Sequence, residues 1–234
     1  AEAEIDLEYL DSKRHAPETL FPKVADLLAY KLANRSYGAV IVSDNNAFDF
    51  AVKYRDRLFP GTVIFFCGLN NLTPESLAGF HKVTGVAENF DMRKTISLIH
   101  QVHPNARHLA VVSDVTSTGR INRRSFERIR NEFRMFFSII DLEELTSDEM
   151  EAKLRQLPPN TVILNLSYYR GPLGETFTLP EAQTLFRNNG NLPVYTLWDF
   201  TIRDGVLGGM VIRGEDQGFR AARMTKDYLN GQAY

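Results

Sequence analysis

The sequence predicts an α/β chain built on two small parallel sheets. Three observations lead there. Short apolar runs alternate with amphipathic stretches, the order that gives parallel strands joined by crossover helices. The runs "AVIVS", "TVIFFC", "LAVVS" and "TVILNL" are apolar throughout, as in strands covered on both faces. About nine strand candidates are many for one open sheet but suit two small ones.

The elements follow in order. Residues 5–11, "IDLEYLD", alternate and read as a strand. Residues 17–38 read as a helix, with Leu20, Val24, Leu27, Leu28 and Leu32 on one face; Pro17 suits its first turn and Pro22 fits only near its start. The strand at 39–44 is followed by a helix at 45–61 that stops on Pro60-Gly61. A buried strand spans 62–69, and 70–80 forms a loop and short helix with Thr73 as N-cap and Pro74 at its first position. The run at 82–89 is a strand and the expected crossover between the two sheets. Helices at 91–104, 118–134, 146–159 and 179–189 then alternate with strands at 108–114, 135–141, 160–169 and 192–200. The Gly-rich 205–214 is extended, and 215–231 is the last helix, stopped by Asn230-Gly231.

Composition removes several function classes. The net charge of -2 lacks the basic surplus of a non-specific nucleic-acid binder. No apolar run reaches the roughly 18 residues of a spanning helix, and "AEAEIDLEYL" does not read as a signal peptide. Cys67 is the only cysteine, which excludes an intrachain disulfide and a cysteine metal site; it reads as a small core residue. His100 and His103 lack an acidic ligand at metal spacing and read as surface residues. The arginines of 118–134, interrupted by Glu127 and Glu132, read as a solvated face. "GPLGE" at 171–175 lacks the Lys of a P-loop, and "GVLGG" at 205–209 opens an extended run instead of a helix, so no cofactor is expected.

Ligands of open parallel sheets bind beyond the carboxyl ends of the strands. Those ends carry Asp44-Asn45-Asn46, Gly68 to Asn71, Glu88-Asn89, Asp114 to Thr118, Tyr168 to Gly171 and Trp198-Asp199-Phe200. Amides, hydroxyls, carboxylates and aromatic faces together form a recognition surface. The candidate ligand contacts are Asp44, Asn45, Asn70, Thr116, Ser117, Thr118, Tyr168, Tyr169, Trp198 and Asp199. Helix capping is the better account of any one of the small polar residues taken singly, whereas the aromatic group is harder to explain that way. Two "SD" units, 43–44 and 113–114, hold corresponding positions in the two halves, and residues 115–118 are expected to face 44–46 across a cleft. Acid–base chemistry by Asp44 with Asp114 or Asp199 is a competing reading, but no nucleophile motif accompanies these carboxylates.

The segments "LEYLDSKRH", "VSDNNAFDF", "YRDRLFPGTVIFFCGLN", "VTGVAEN", "VHPNARHLAVVSD", "LPPNTVILNLSYYR", "PVYTLWDF" and "GVLGGMVIRGEDQG" occur in an order that resembles one family over almost the whole chain. It is the substrate-binding-protein-like family of ABC transporters. The branch it most resembles is the extracytoplasmic sensor domains of bacterial histidine kinases and diguanylate cyclases. The resemblance implies a type I periplasmic-binding-protein fold: two Rossmann-like α/β lobes, three crossovers and a ligand cleft between. Lobe one would comprise 1–87 with 211–234, and lobe two 88–210. The family's opening strand and helix have no counterpart ahead of Ile5: either this sequence starts late within lobe one, or lobe one lacks them. The implied role is non-enzymatic sensing of an amino acid or another small polar or aromatic molecule, in the periplasm or at the cell surface. The implied partner is a C-terminal membrane-linked signalling module, or an ABC permease if the role is delivery. A homodimer is compatible with this, and nucleic acid is not an expected partner.

Overall fold

The computed structural model describes residues 4–70, 72, 77–187, 191–203 and 205–233. The expected helix start at Thr73-Pro74, and Asn71, lie outside these residues. The strands are β1 (Ala39–Ser43), β2 (Val63–Asn70), β3 (Val83–Glu88), β4 (His108–Ser113), β5 (Ser138–Glu143), β6 (Thr161–Asn165), β7 (Val194–Thr196) and β8 (Val206–Gly208). The described helices are α1 (Pro17–Leu32), α2 (Asn45–Leu58), α3 (Met92–Val102), α4 (Ser117–Ile129), α5 (Ser147–Arg155), α6 (Leu179–Arg187) and α7 (Gly214–Leu229). Single 3-10 turns follow at Arg130–Phe133 and Asp199–Thr201.

Two parallel sheets result, one in the order β1-β2-β3 and the other β5-β4-β6-β7-β8. Alternation along each strand decides which helices cover which face. In the larger sheet, Leu109, Val111, Val162 and Leu164 pack with Ile96 and Ile99 of α3 and Phe126 of α4. Ala110, Val112 and Ile163 point the other way, onto Met150 of α5 and Phe186 of α6. In the smaller sheet, Val42, Ile64 and Phe66 meet Phe21 and Leu28 of α1 and Phe48 and Ala51 of α2. Phe65 faces the opposite side, where Tyr228 of α7 lies against it with ring centroids 5.6 Å apart. The chain passes between the sheets after β3 and again after β8, so the described residues hold two of the three expected crossovers.

Several expectations change. Residues 5–11 are extended but join no ladder, and Ile5, Leu7 and Tyr9 are exposed. Ion pairs Glu8–Lys31 and Asp6–Arg35 tie this segment to α1 and the residues beyond it; alternation alone did not distinguish a laid-down segment from a strand. The helix expected at 17–38 ends at Leu32, and Leu27 is exposed rather than on its core face. The strand expected at 135–141 starts at Ser138, and that expected at 192–200 is only Val194–Thr196 before the chain turns. The arginine-rich helix is not uniformly solvated: Arg123 is buried, pairing with Asp141 at 2.5 Å and Glu127 at 2.6 Å. His103 and His100 are half-buried, the first bonded to the Tyr195 hydroxyl at 3.0 Å and the second packed on Phe136.

Candidate ligand-binding cleft

The carboxyl ends of both sheets open into one cavity of about 210 Å³. The smaller sheet supplies Asp44 after β1, Gly68 and Asn70 at the end of β2, and Glu88 at the end of β3. The larger sheet supplies Asn165 at the end of β6 with the residues that follow it to Tyr169, and Thr196 at the end of β7 with Trp198 beyond it, together with Thr118 from the start of α4.

The rim is shaped by two glycine-demanding turns. Asp44 caps α2 through its carboxylate, which accepts from Asn45 N at 2.7 Å, and it stands at φ 79°, ψ 155°. That region is almost exclusive to glycine and costs about 1–3 kcal/mol. Its amide is fixed meanwhile by the Cys67 carbonyl at 3.0 Å. Gly68 sits beside it at φ 68°, where a Cβ would press on Asp44 N at 3.3 Å. The Gly68 N–H donates to Gln217 Oε1 of α7 at 2.8 Å.

The second Ser-Asp unit behaves differently from the first. Asp114 is buried, and its carboxylate organises the loop around it. Oδ1 accepts from Thr116 N at 3.1 Å and Thr116 Oγ1 at 2.6 Å; Oδ2 accepts from Tyr169 N at 2.6 Å and Arg170 N at 3.3 Å. Four donors engage this carboxylate in holding the loops after β4 and β6 together. Gly119 permits the close packing, since a Cβ there would collide with Asp114.

Two polar bridges cross the cavity. Trp198 Nε1 donates to Glu88 Oε1 at 2.8 Å, joining the larger sheet to the smaller, and Gln217 Nε2 donates to Glu88 Oε2 at 3.3 Å. Lys13 Nζ pairs with Asp44 Oδ2 at 3.0 Å and donates to Thr118 Oγ1 at 2.6 Å, with the Tyr169 ring 5.8 Å away. Burial raises the Glu88 carboxyl above its usual range, partly offset by the Trp198 and Gln217 hydrogen bonds. Burial, with Asp114 and Asp44 nearby, pushes the Tyr169 hydroxyl up to about 12, so it stays protonated.

Of the ten sequence candidates, Asp44, Asn70, Thr118, Tyr168, Tyr169 and Trp198 line the cavity. Asn45 stands behind Asn70, accepting from its backbone N at 3.1 Å and its Nδ2 at 3.3 Å. Thr116 is the N-cap of α4, spent on Asp114 and Gly119, and Ser117 and Asp199 also lie outside the lining. Tyr168 is buried more deeply than a rim aromatic: it stacks on Phe177 with centroids 4.8 Å apart. Cys67, expected in the core, is buried but also borders the cavity. Lys13, Glu88 and Gln217 were not among the candidates. Glu88 ends a strand, which was a usable signal; Lys13 and Gln217 come from a turn and a late helix, and no local pattern marks them.

No protein-family model matches this chain, and neither does any curated protein. Solved structures do match. The chain superposes on the ABC domain from Streptococcus pneumoniae in complex with L-Trp with TM-score 0.63 and 14% identity, over 91% of this chain and 72% of that one. It superposes on CD0873, a substrate-binding protein with adhesive properties from Clostridium difficile solved ligand-free and open, with TM-score 0.56 and 14% identity, over 91% and 70%. A conserved domain protein from Vibrio cholerae gives TM-score 0.63 and 14% identity, over 90% and 70%. Parallel sheets, crossovers and these superpositions agree: the chain has the two-lobed α/β fold of substrate-binding proteins.

Proposed function

We propose that this chain is an extracytoplasmic sensor domain that binds a small molecule between its lobes, residues 1–87 with 211–234 and residues 88–210. The observation that carries the reading is the cavity itself, lined from the carboxyl ends of both sheets, with Lys13–Thr118 reaching from one lobe to the other and Glu88, the last residue of the smaller sheet, bonded to Trp198 of the larger. A ligand touching both walls has more contacts when the lobes close, and that difference in affinity drives the closure. The sensor role rests on the sequence resemblance, and it implies coupling to a membrane-linked signalling module. No described helix is long and apolar enough to cross a membrane.

Delivery of a small polar ligand to an ABC permease is the second reading, favoured by the substrate-binding proteins among the structural matches. Binding is tested by thermal-shift screening of amino acids, nucleosides, sugars and carboxylates, followed by small-angle scattering on each hit. A hit that raises Tm and compacts the chain supports binding with closure. A full screen without a hit contradicts it. A genomic neighbour decides between the roles: a fused kinase or cyclase supports sensing, a permease supports delivery.

A further inference from the structure

The cavity's polar groups are unevenly matched, and the mismatch identifies a ligand class. Glu88 is 8% exposed, and both its oxygens take hydrogen bonds from neutral donors, Trp198 Nε1 and Gln217 Nε2. Lys13 is the one cation lining the cavity among the described residues, and it pairs with Asp44. The Lys13 charge reaches Glu88 only from a distance, so Glu88 remains a buried carboxylate with no cation in contact, an expensive arrangement unless something supplies the charge.

Asn70 points the same way. It is 7% exposed, borders the cavity, and its Oδ1 has no hydrogen-bond partner. The orientation of this amide is fixed, because its Nδ2 donates to Asn45 Oδ1 at 3.3 Å. Asn70 and Glu88 are register partners on adjacent parallel strands, so their side chains leave the same face of the sheet side by side. On the opposite wall, Asn165 Oδ1 is a further buried acceptor without a partner. Unsatisfied acceptors beside a carboxylate with no cation in contact match a ligand that brings N–H donors and a positive charge.

We propose that the cleft takes a ligand bearing a protonated primary amine, seated between the Glu88 carboxylate and Asn70 Oδ1. This rests on the ligand-binding reading above and narrows it. The ammonium supplies the charge that Glu88 lacks and a donor for Asn70. Trp198, held by its Nε1 bond to Glu88, borders the same seat.

The test compares matched skeletons on the full chain by thermal shift and calorimetry at millimolar concentration. The probes are 2-phenylethylamine, 2-phenylethanol and phenylacetate, with L-phenylalanine, L-leucine, putrescine and histamine as further amines. At least one amine is expected to bind, with its alcohol or acid analogue binding about 30-fold more weakly or not at all, in line with the cost of leaving a buried charge unpaired. Glu88→Gln should reduce amine affinity by a similar factor. The amine-to-alcohol ratio in the unaltered chain stands whether or not that variant folds. Equal binding of amine and alcohol, unaltered amine binding in a folded Glu88→Gln, or no binding by any amine overturns the proposal. If nucleosides or carboxylates bind where amines do not, the ammonium seat fails and ligand binding survives; if nothing in either panel binds, both fail.

Discussion

Removing the Lys13 bridge should open the cleft. Lys13 Nζ holds Asp44 of the smaller-sheet lobe and Thr118 of the larger-sheet lobe at once. Its side chain is 34% exposed and that of Asp44 38%, so solvent screens the ion pair, which is worth about 0.5 kcal/mol. The hydrogen bond to Thr118 adds about 1 kcal/mol. Of the Lys13 contacts, only those to Thr118 and to the Tyr169 ring cross between lobes, because Asp44 and Lys13 belong to the same one. Lys13→Met should therefore cost the closed state about 1–1.5 kcal/mol relative to the open one, close to a tenfold shift in the ratio. Spin labels on Tyr30→Cys in α1 and Met135→Cys beyond α4, both highly exposed, with buried Cys67 replaced by Ala, would report the interlobe distance by pulsed electron resonance. The Lys13→Met distribution should move toward longer distances, with little change in the urea midpoint. An unchanged distribution would show that Lys13 does not hold the lobes, and the reasoning would be wrong.

Other perturbations test the parts separately. Gly119→Ala, which drives a Cβ into Asp114, should lower unfolding free energy by about 2 kcal/mol in urea melts. Thr116→Ala removes the α4 cap and a donor to Asp114 and should cost about 1–2 kcal/mol, while Thr116→Ser should be nearly neutral. Glu88 has its carboxyl raised in the folded state, so the unfolded chain loses that proton first and stability falls as pH rises from about the ordinary value of 4.5 through the raised one. The Tm of unliganded Glu88→Gln should lack this decline, and its advantage over the unaltered chain should shrink on acidification. Asp141 behaves oppositely: burial would raise it, but Arg123 and Arg130 hold it below its usual value. Its stabilisation is present above the ordinary carboxylate range and lost in acid, so Arg123→Met should flatten the acid limb of a Tm-against-pH curve.

The architecture was legible because continuous apolar runs and capped helices are local signals. "LAVVS" became β4 and "TVILN" β6, and Thr146 closes a capping box with Glu149 at the start of α5. Strand ends then placed Asp44, Asn70, Tyr169 and Trp198 on the cavity wall, since the carboxyl edge of a parallel sheet follows from topology. Of residues 115–118, expected to face 44–46, Thr118 shares Lys13 with Asp44. What stayed hidden depends on partners distant in sequence. Glu88 meets Gln217 across 129 positions, and Lys13 meets Thr118 across 105. The alternation of 5–11 looked like a strand, but Ile5, Leu7 and Tyr9 are as exposed as the polar residues between them: a period-two pattern in sequence guarantees neither a buried face nor hydrogen bonding to a neighbour.

Trp198 is the only tryptophan in the chain, and it lines the cavity between the lobes. Its fluorescence therefore reports on the cleft alone. Titration with a non-fluorescent compound that raises Tm should give a saturable change in Trp198 emission, with the same midpoint as the compaction seen by small-angle scattering. A compound that stabilises the chain while leaving both the emission and the scattering unchanged would place binding outside the cleft and contradict the account.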